Sequence, residues 1–134
     1  MERVINCSIL TPERLIYDGQ VGFAVVQAHD GEMGFLYGHS PLISKLGIGE
    51  VRLNNPKSVD YLVIEGGVVE MKDNKLIVLA EKAFKKSDLS AQELEDKMKE
   101  LDAQMVDMPQ FSEDKFELKL EKERLKVRLK VAKR

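Results

Sequence analysis

His29 and His39, the only two histidines of this 134-residue chain, fall beside and within its most glycine-rich stretch, Asp30–Ile43, read D-G-E-M-G-F-L-Y-G-H-S-P-L-I. With Asp30 and Glu32 they offer four side chains of metal-ligating type. A metal site also needs rigid elements to aim its ligands and outer partners to orient them. The sequence supplies neither here, so the four read as solvated loop residues. The same stretch is not a phosphate loop, because it lacks Gly-Lys-Ser/Thr and a following helix. No Ser-His-Asp order or paired-carboxylate spacing stands out. Cys7, the single cysteine, alternates with Ile5 and Ile9 and reads as a small core side chain rather than a nucleophile. One cysteine excludes an internal disulfide and a cysteine metal cage. No reaction, metal or cofactor is expected, and the chain reads as a protein that is not an enzyme.

What remains is binding chemistry. The glycine-rich stretch carries Met33, Phe35, Leu36 and Tyr37, large apolar side chains that must be buried locally or offered to a partner. From Arg124 onward the chain has six basic residues and no acidic one. A basic helix end is favoured by the helix dipole, and it can also seek an acidic protein surface. RNA binding is disfavoured, since no aromatic lies between the basic residues to stack a base. The net charge of −2 argues against binding nucleic acid or a membrane surface by bulk attraction. No apolar run is long enough to span a bilayer. The opening M-E-R-V-I-N lacks a signal core, which predicts that the protein stays in its compartment of synthesis.

Composition divides the elements that must position these groups. Residues 1–84 hold 19 charges and all nine glycines, whereas residues 85–134 hold 25 charges and one proline, Pro109. The first part reads as short strands with turns, an antiparallel sandwich or barrel. Strands are predicted at Arg3–Leu10, Leu15–Tyr17, Val21–Ala28, Ile43–Leu46, Ile48–Leu53, Val59–Glu65, Val68–Lys72 and Lys75–Ala80. Val21, Phe23 and Val25 should share a face. Asp73-Asn74 suits a two-residue hairpin turn. In the second part Ser90 and Glu93 have capping-box spacing, predicting a helix from Ala91 with Leu94, Met98, Leu101 and Met105 on one stripe. Met108-Pro109-Gln110 should break it, and Ser112 can cap a second helix. That second helix carries two apolar stripes: Phe116, Leu120, Val127 and Val131, and nearly opposite them Leu118, Leu125, Leu129 and Ala132. A helix on a hairpin needs one stripe, so this one should serve two neighbours, at once or in two conformations. Leu125–Val131 also alternates strictly, a strand signature. Helix is the favoured reading, because Glu113–Lys122 is strongly helix-forming.

Gly31–Ile43 is similar to the pattern G-x-x-G-x-L-P-G-H-x-P-L of the epsilon subunits of bacterial and chloroplast F-type ATP synthases. The double glycine and hairpin of Gly66–Ala80 resembles that family's second signature, and Ile9–Gly19 resembles its first strands. The likeness is good over residues 1–83 and architectural beyond. It implies an α+β fold: an N-terminal antiparallel β-sandwich of about ten strands, residues 1–84, then a C-terminal two-helix hairpin, residues 85–134. It implies a rotor subunit of the central stalk, its sandwich bound to the gamma subunit and resting on the c ring. The hairpin would rise into the alpha/beta catalytic head and block ATP hydrolysis. It places the protein at the periphery of the bacterial plasma membrane, on the cytoplasmic face, or on the stromal thylakoid face if plastid, without insertion into the bilayer. By this resemblance Glu32, Met33, Tyr37, His39 and Pro41 face the c ring. Arg124, Lys126, Arg128 and Lys130 are the candidate inhibitory latch.

Two departures bear on these expectations. Tyr37 stands where the family commonly has proline. Some bacterial members bind ATP through a D-I-D-x-x-R-A-like motif, and here Asp88–Leu94 has Ser90 for the second aspartate and Glu93 for the arginine. An acid facing phosphate repels it, so no tight ATP site is expected. The competing reading is a free-standing β-sandwich binding module with a helical interaction tail.

Overall fold

The computed structural model describes residues 3–134; Met1 and Glu2, at the start of the expected first domain, lie outside the described residues. Seven strands precede two helices: β1 (Ile5–Leu10), β2 (Leu15–Val21), β3 (Phe23–Ala28), β4 (Gly31–Leu36), β5 (Leu42–Asn54), β6 (Val59–Lys72), β7 (Lys75–Lys85), α1 (Ala91–Met105) and α2 (Glu113–Ala132). They form one sheet ordered β2-β1-β7-β6-β5-β3-β4. All neighbours are antiparallel except β1 and β7, which are parallel.

The expected fold class holds, with seven strands where about ten are expected. The difference lies in β5, β6 and β7, of 13, 14 and 11 residues. The sequence suggests breaks at Gly47, at Gly66-Gly67 and after Ala80, but each strand instead bends there and continues. Pairing of β5 with β6 skips from Leu46↔Gly67 to Ile48↔Glu65, and β6 with β7 from Gly67↔Ala80 to Glu65↔Lys82. The bend therefore runs across the sheet as one line through Gly47, Gly66 and Glu81. Gly66 and Gly67 sit at φ of 79° and 129°, and a Cβ on Gly67 would come within 2.1 Å of the Leu79 carbonyl oxygen. Only glycine can make this corner. Folding along it packs Val51, Leu53, Leu62 and Ile64 from one half against Ile5, Cys7, Ile9, Val69, Met71, Leu76 and Val78 from the other, all within one buried cluster.

Three other expectations need correction. Asp30–Ile43 is not mainly a loop: Gly31–Leu36 is β4, an edge strand paired to β3, and only residues 37–41 form the connection. The second strand does not stop at Asp18-Gly19 but runs on to Val21, because Gly19 pairs with Cys7. The third begins after Gly22, whose amide donates to the Asn54 carbonyl at 2.8 Å. A break there shifts the side-chain alternation by one. Ala24 and Val26 then join Val21 in the core cluster, in place of Phe23 and Val25.

The hairpin turn at Asp73-Asn74 forms as expected, both residues having positive φ. So do both helices. Ser90 Oγ accepts from the Glu93 amide, and Ser112 Oγ from the Lys115 amide. Leu125–Val131 is helical. Leu94 and Met105 of α1 and Leu125 of α2 are buried, and Lys122–Asp102 and Lys133–Glu95 ion pairs flank the contact between the helices. At the C-terminal end of the other stripe, Val131 is buried, and α2 packs on β5 and β6. Both stripes are thus used at once, but Phe116 and Leu120 remain exposed.

Candidate functional site

Three surfaces of this frame can bind something. The first is the tip made by β4 and residues 37–41. Phe35 is buried and anchors it. The His39 ring lies 5.0 Å from the Phe35 ring at 54°, and its Nδ1 lies 2.7 Å from the Ser40 carbonyl oxygen. Gly38, at φ 84°, donates its amide to Asn74 Oδ1 at 2.7 Å. Asn74 also accepts from the Asn6 amide through its carbonyl. Asn74 therefore ties the tip to the β6–β7 turn and to β1, which fixes a segment whose glycines would otherwise leave it loose. Sequence alone marks Asn74 only as a turn residue. Glu32, Tyr37 and Pro41 are exposed around this anchor, and Met33 packs partly onto the core. His29 approaches the Lys45 carbonyl instead. Among the described residues no three His, Cys, Asp or Glu side chains converge as a metal site would require.

The second surface follows directly from Pro41. On the outer face of one half of the bent sheet, Ile43, Glu70 and Ile77 form one cross-strand row, and Lys45, Val68 and Leu79 the next. Ile43 is 71% exposed, with Leu79 at 56%. A half-apolar face of this kind, with Lys45 at one end of a row and Glu70 between the two isoleucines, is a binding surface by composition. Periodicity assigns these residues to strands but cannot tell which face the bend turns outward.

The third surface is the outer face of the other half, which the hairpin covers. Glu65 of β6 is 5% exposed and is the buried charged residue among those described. Arg128 of α2 donates from Nε and Nη2 to its two carboxylate oxygens at 2.6 and 2.7 Å. The guanidinium stands 4.4 Å from the Phe84 ring centroid. Its hydrogen bonds to Glu65 hold its pKa above the ordinary arginine value, against desolvation by burial. Further along, Arg134 makes a second two-point contact to Glu50 at 3.0 and 2.7 Å and lies over Tyr61. Two arginine–carboxylate clasps, one within the last turns of α2 and one two residues past its end, thus fasten this part of the hairpin to the sheet. Of the other expected latch residues, Arg124 pairs with Glu121 and Lys126 with Glu123 on α2 itself, and Lys130 is exposed. The clasps are not readable in sequence, since the partners lie 63 and 84 residues apart.

Beside the first clasp lies a cleft of about 140 Å³ lined by Phe84, Asp88, Ser90, Glu93, Lys97 and Arg128, among others. Ser90 is occupied as the cap of α1, and Glu93 is exposed. Asp88 accepts from the Lys85 amide and from Arg14, both at 3.0 Å, and these hydrogen bonds hold its carboxyl below the usual range.

The fold is thus a bent sandwich with a pinned tip and an exposed half-apolar face, and a helical hairpin is clasped to its far side. Residues 4–86 match the family described as ATP synthase, Delta/Epsilon chain, beta-sandwich domain. An ATP synthase epsilon chain of Desulforudis audaxviator is 43% identical over 82 residues, which cover 61% of this chain and 60% of that relative. One of Pediococcus pentosaceus is 34% identical over 87% of this chain and 84% of its own length. The fold is similar to a chain in the mitochondrial ATP synthase of Euglena gracilis, at TM-score 0.76 and 17% identity, covering 99% of this chain and 81% of that one. It also resembles a chain in the central stalk/c-ring structure of the Tetrahymena thermophila mitochondrial ATP synthase, at TM-score 0.59 and 14% identity over 96% of each. The chain belongs to the ATP synthase delta/epsilon family. Both bacterial relatives are epsilon chains.

Proposed function

We propose that this chain is a non-catalytic central-stalk subunit of a proton-translocating F-type ATP synthase, joining the gamma subunit to the c ring and restraining ATP hydrolysis through its hairpin. The observation that carries this reading is the division of labour between the two outer faces of the sandwich. One, with Ile43, Val68 and Leu79, is bare and apolar and suits a permanent partner such as gamma. The pinned tip next to it, with Glu32, Met33, Tyr37, His39 and Pro41, suits the polar rim of the c ring. The opposite face is covered by a helix fastened by two polar clasps beside a small apolar contact at Val131, a fastening that can be exchanged for another.

In the inhibitory state Arg124, Lys126, Arg128 and Lys130 would dock on an acidic surface of the catalytic subunits. Each exposed charge contributes under about 1 kcal/mol, so the group acts together. Arg128 joins that group only after it leaves Glu65. Tight ATP binding at the cleft beside α1 is not part of this function: Glu93 brings negative charge to its rim, and the Arg128 guanidinium is already neutralised. Membership of the delta/epsilon family supports a place at the periphery of the membrane, on its cytoplasmic side, and no described helix is long and apolar enough to cross a bilayer.

The test is ATP hydrolysis by the assembled complex with residues 111–134 deleted. Hydrolysis should rise severalfold relative to the intact complex. An unchanged rate ends the inhibitory role.

A further inference from the structure

Glu65 has a second potential partner within reach. It pairs in register with Lys82 on β7, directly across the ladder from it. On such a pair the Cβ atoms stand about 5 Å apart on the same face. Phe84, which stacks on Arg128, is the next residue along that face of β7. Lys82 is exposed, and among the described residues it makes no ion pair. Its extended side chain can swing over Glu65 once α2 no longer covers the carboxylate.

We infer that Glu65 is a two-position switch: its carboxylate holds Arg128 while α2 lies on the sheet and passes to Lys82 when α2 lifts. This rests on the reading that the hairpin leaves the sandwich. The two states differ in character. With Arg128 the contact is dry, two-pointed and backed by an aromatic ring, so losing one partner leaves a buried charge uncompensated. With Lys82 the contact is single and solvated, and therefore weaker. The closed state is favoured, yet the open state does not leave a bare carboxylate on the sheet. The released Arg128 becomes available to another acidic surface at the moment Glu65 acquires its substitute. The weak lysine contact thereby adjusts the balance between the two positions without dominating it.

The experiment uses the full chain, with fluorescent dyes on Lys57→Cys and Val106→Cys, both exposed sites. Cys7 is buried and does not compete for label. Energy transfer between the dyes reports the fraction of molecules with the hairpin released. Arg128→Met should raise the ratio of released to closed molecules at least tenfold. Lys82→Met, a surface change that leaves the fold intact, should lower it about two- to fivefold, the range of a single exposed ion pair. In a Glu65→Gln background Lys82→Met should have no effect. A ratio unmoved or raised by Lys82→Met overturns the switch, as does a Lys82→Met effect that persists undiminished in the Glu65→Gln background. A hairpin that stays closed in Arg128→Met overturns the clasp itself. Because the free subunit is measured, these outcomes are independent of hydrolysis. If deletion of residues 111–134 leaves ATPase unchanged while the ratios move as stated, the switch stands and the inhibitory role falls.

Discussion

Among single residues, Cys7 shows how position decides chemistry. Its side chain lies on β1 facing the core, with no exposure. Burial, with a smaller contribution from the nearby Asp18 carboxylate, pushes its pKa from 9.0 to about 12. The thiolate is the reactive form, so the native protein should not react with a thiol reagent at pH 8, whereas the denatured chain should react once per molecule. Absorbance of the released chromophore checks this; prompt labelling of native protein would contradict it. The sign of the pH effect on stability follows as well. A group whose pKa is raised by folding stabilises fully below its unfolded value, and the contribution fades as pH climbs through the folded one. For Cys7 it is lost between about pH 9 and pH 12. The core role of Cys7 is legible because alternation with Ile5 and Ile9 is a local signal. That Glu32, Tyr37, His39 and Pro41 lie near one another is also visible, since one short segment contains them. The clasps of Arg128 on Glu65 and Arg134 on Glu50 are not, because no periodicity in α2 encodes which residue of a distant strand lies beneath it.

At the level of elements, the glycines are legible as interruptions but not as corners. Gly47 and Gly66-Gly67 look like ends of strands, although the ladders on both sides share a single register across the bend. A local sequence cannot separate a turn from a fold line, because both need backbone freedom and only long-range pairing tells them apart. Gly67→Ala tests the distinction. It combines a positive φ with a Cβ placed 2.1 Å from backbone, where nothing flexible can yield. Strain and overpacking together should cost at least about 3 kcal/mol. Gly38→Ala offers the contrast, since its φ is also positive but open space surrounds it, and strain alone should cost about 1 kcal/mol. Urea denaturation of both variants measures the difference. Equal costs would mean that the corner relaxes. The helices are more readable, since Ser90, Ser112 and Pro109 act within a few residues of themselves. Which stripe of α2 meets α1 and which meets the sheet depends on the bend, and so on contacts no helical wheel contains.

For the molecule as a whole, the question is whether the sandwich needs its hairpin. The division at residue 84 rests on a change in composition, and β7 runs one residue past it. The main core cluster contains no residue beyond Ala83. The hairpin adds a separate set of buried residues, Leu94, Met105, Leu125 and Val131, and covers Val63 and Glu65 from outside. We propose that residues 1–86 fold alone. Removing residues 87–134 uncovers Val63, whose burial is worth roughly 1.5–3 kcal/mol. It also returns Glu65 to water, which removes the desolvation cost of keeping that charge buried. The net loss should then be about 1–3 kcal/mol, lowering the melting temperature by roughly 4–24 °C for a piece of this size. Circular dichroism of the fragment should show a β spectrum and one cooperative transition. On the proposed function the fragment should also bind the gamma subunit as the whole chain does, because Ile43, Val68 and Leu79 are left exposed by the hairpin. A fragment that is unfolded at 25 °C would mean that the two parts form one cooperative unit, and that lifting the hairpin as a body would cost the sandwich its fold.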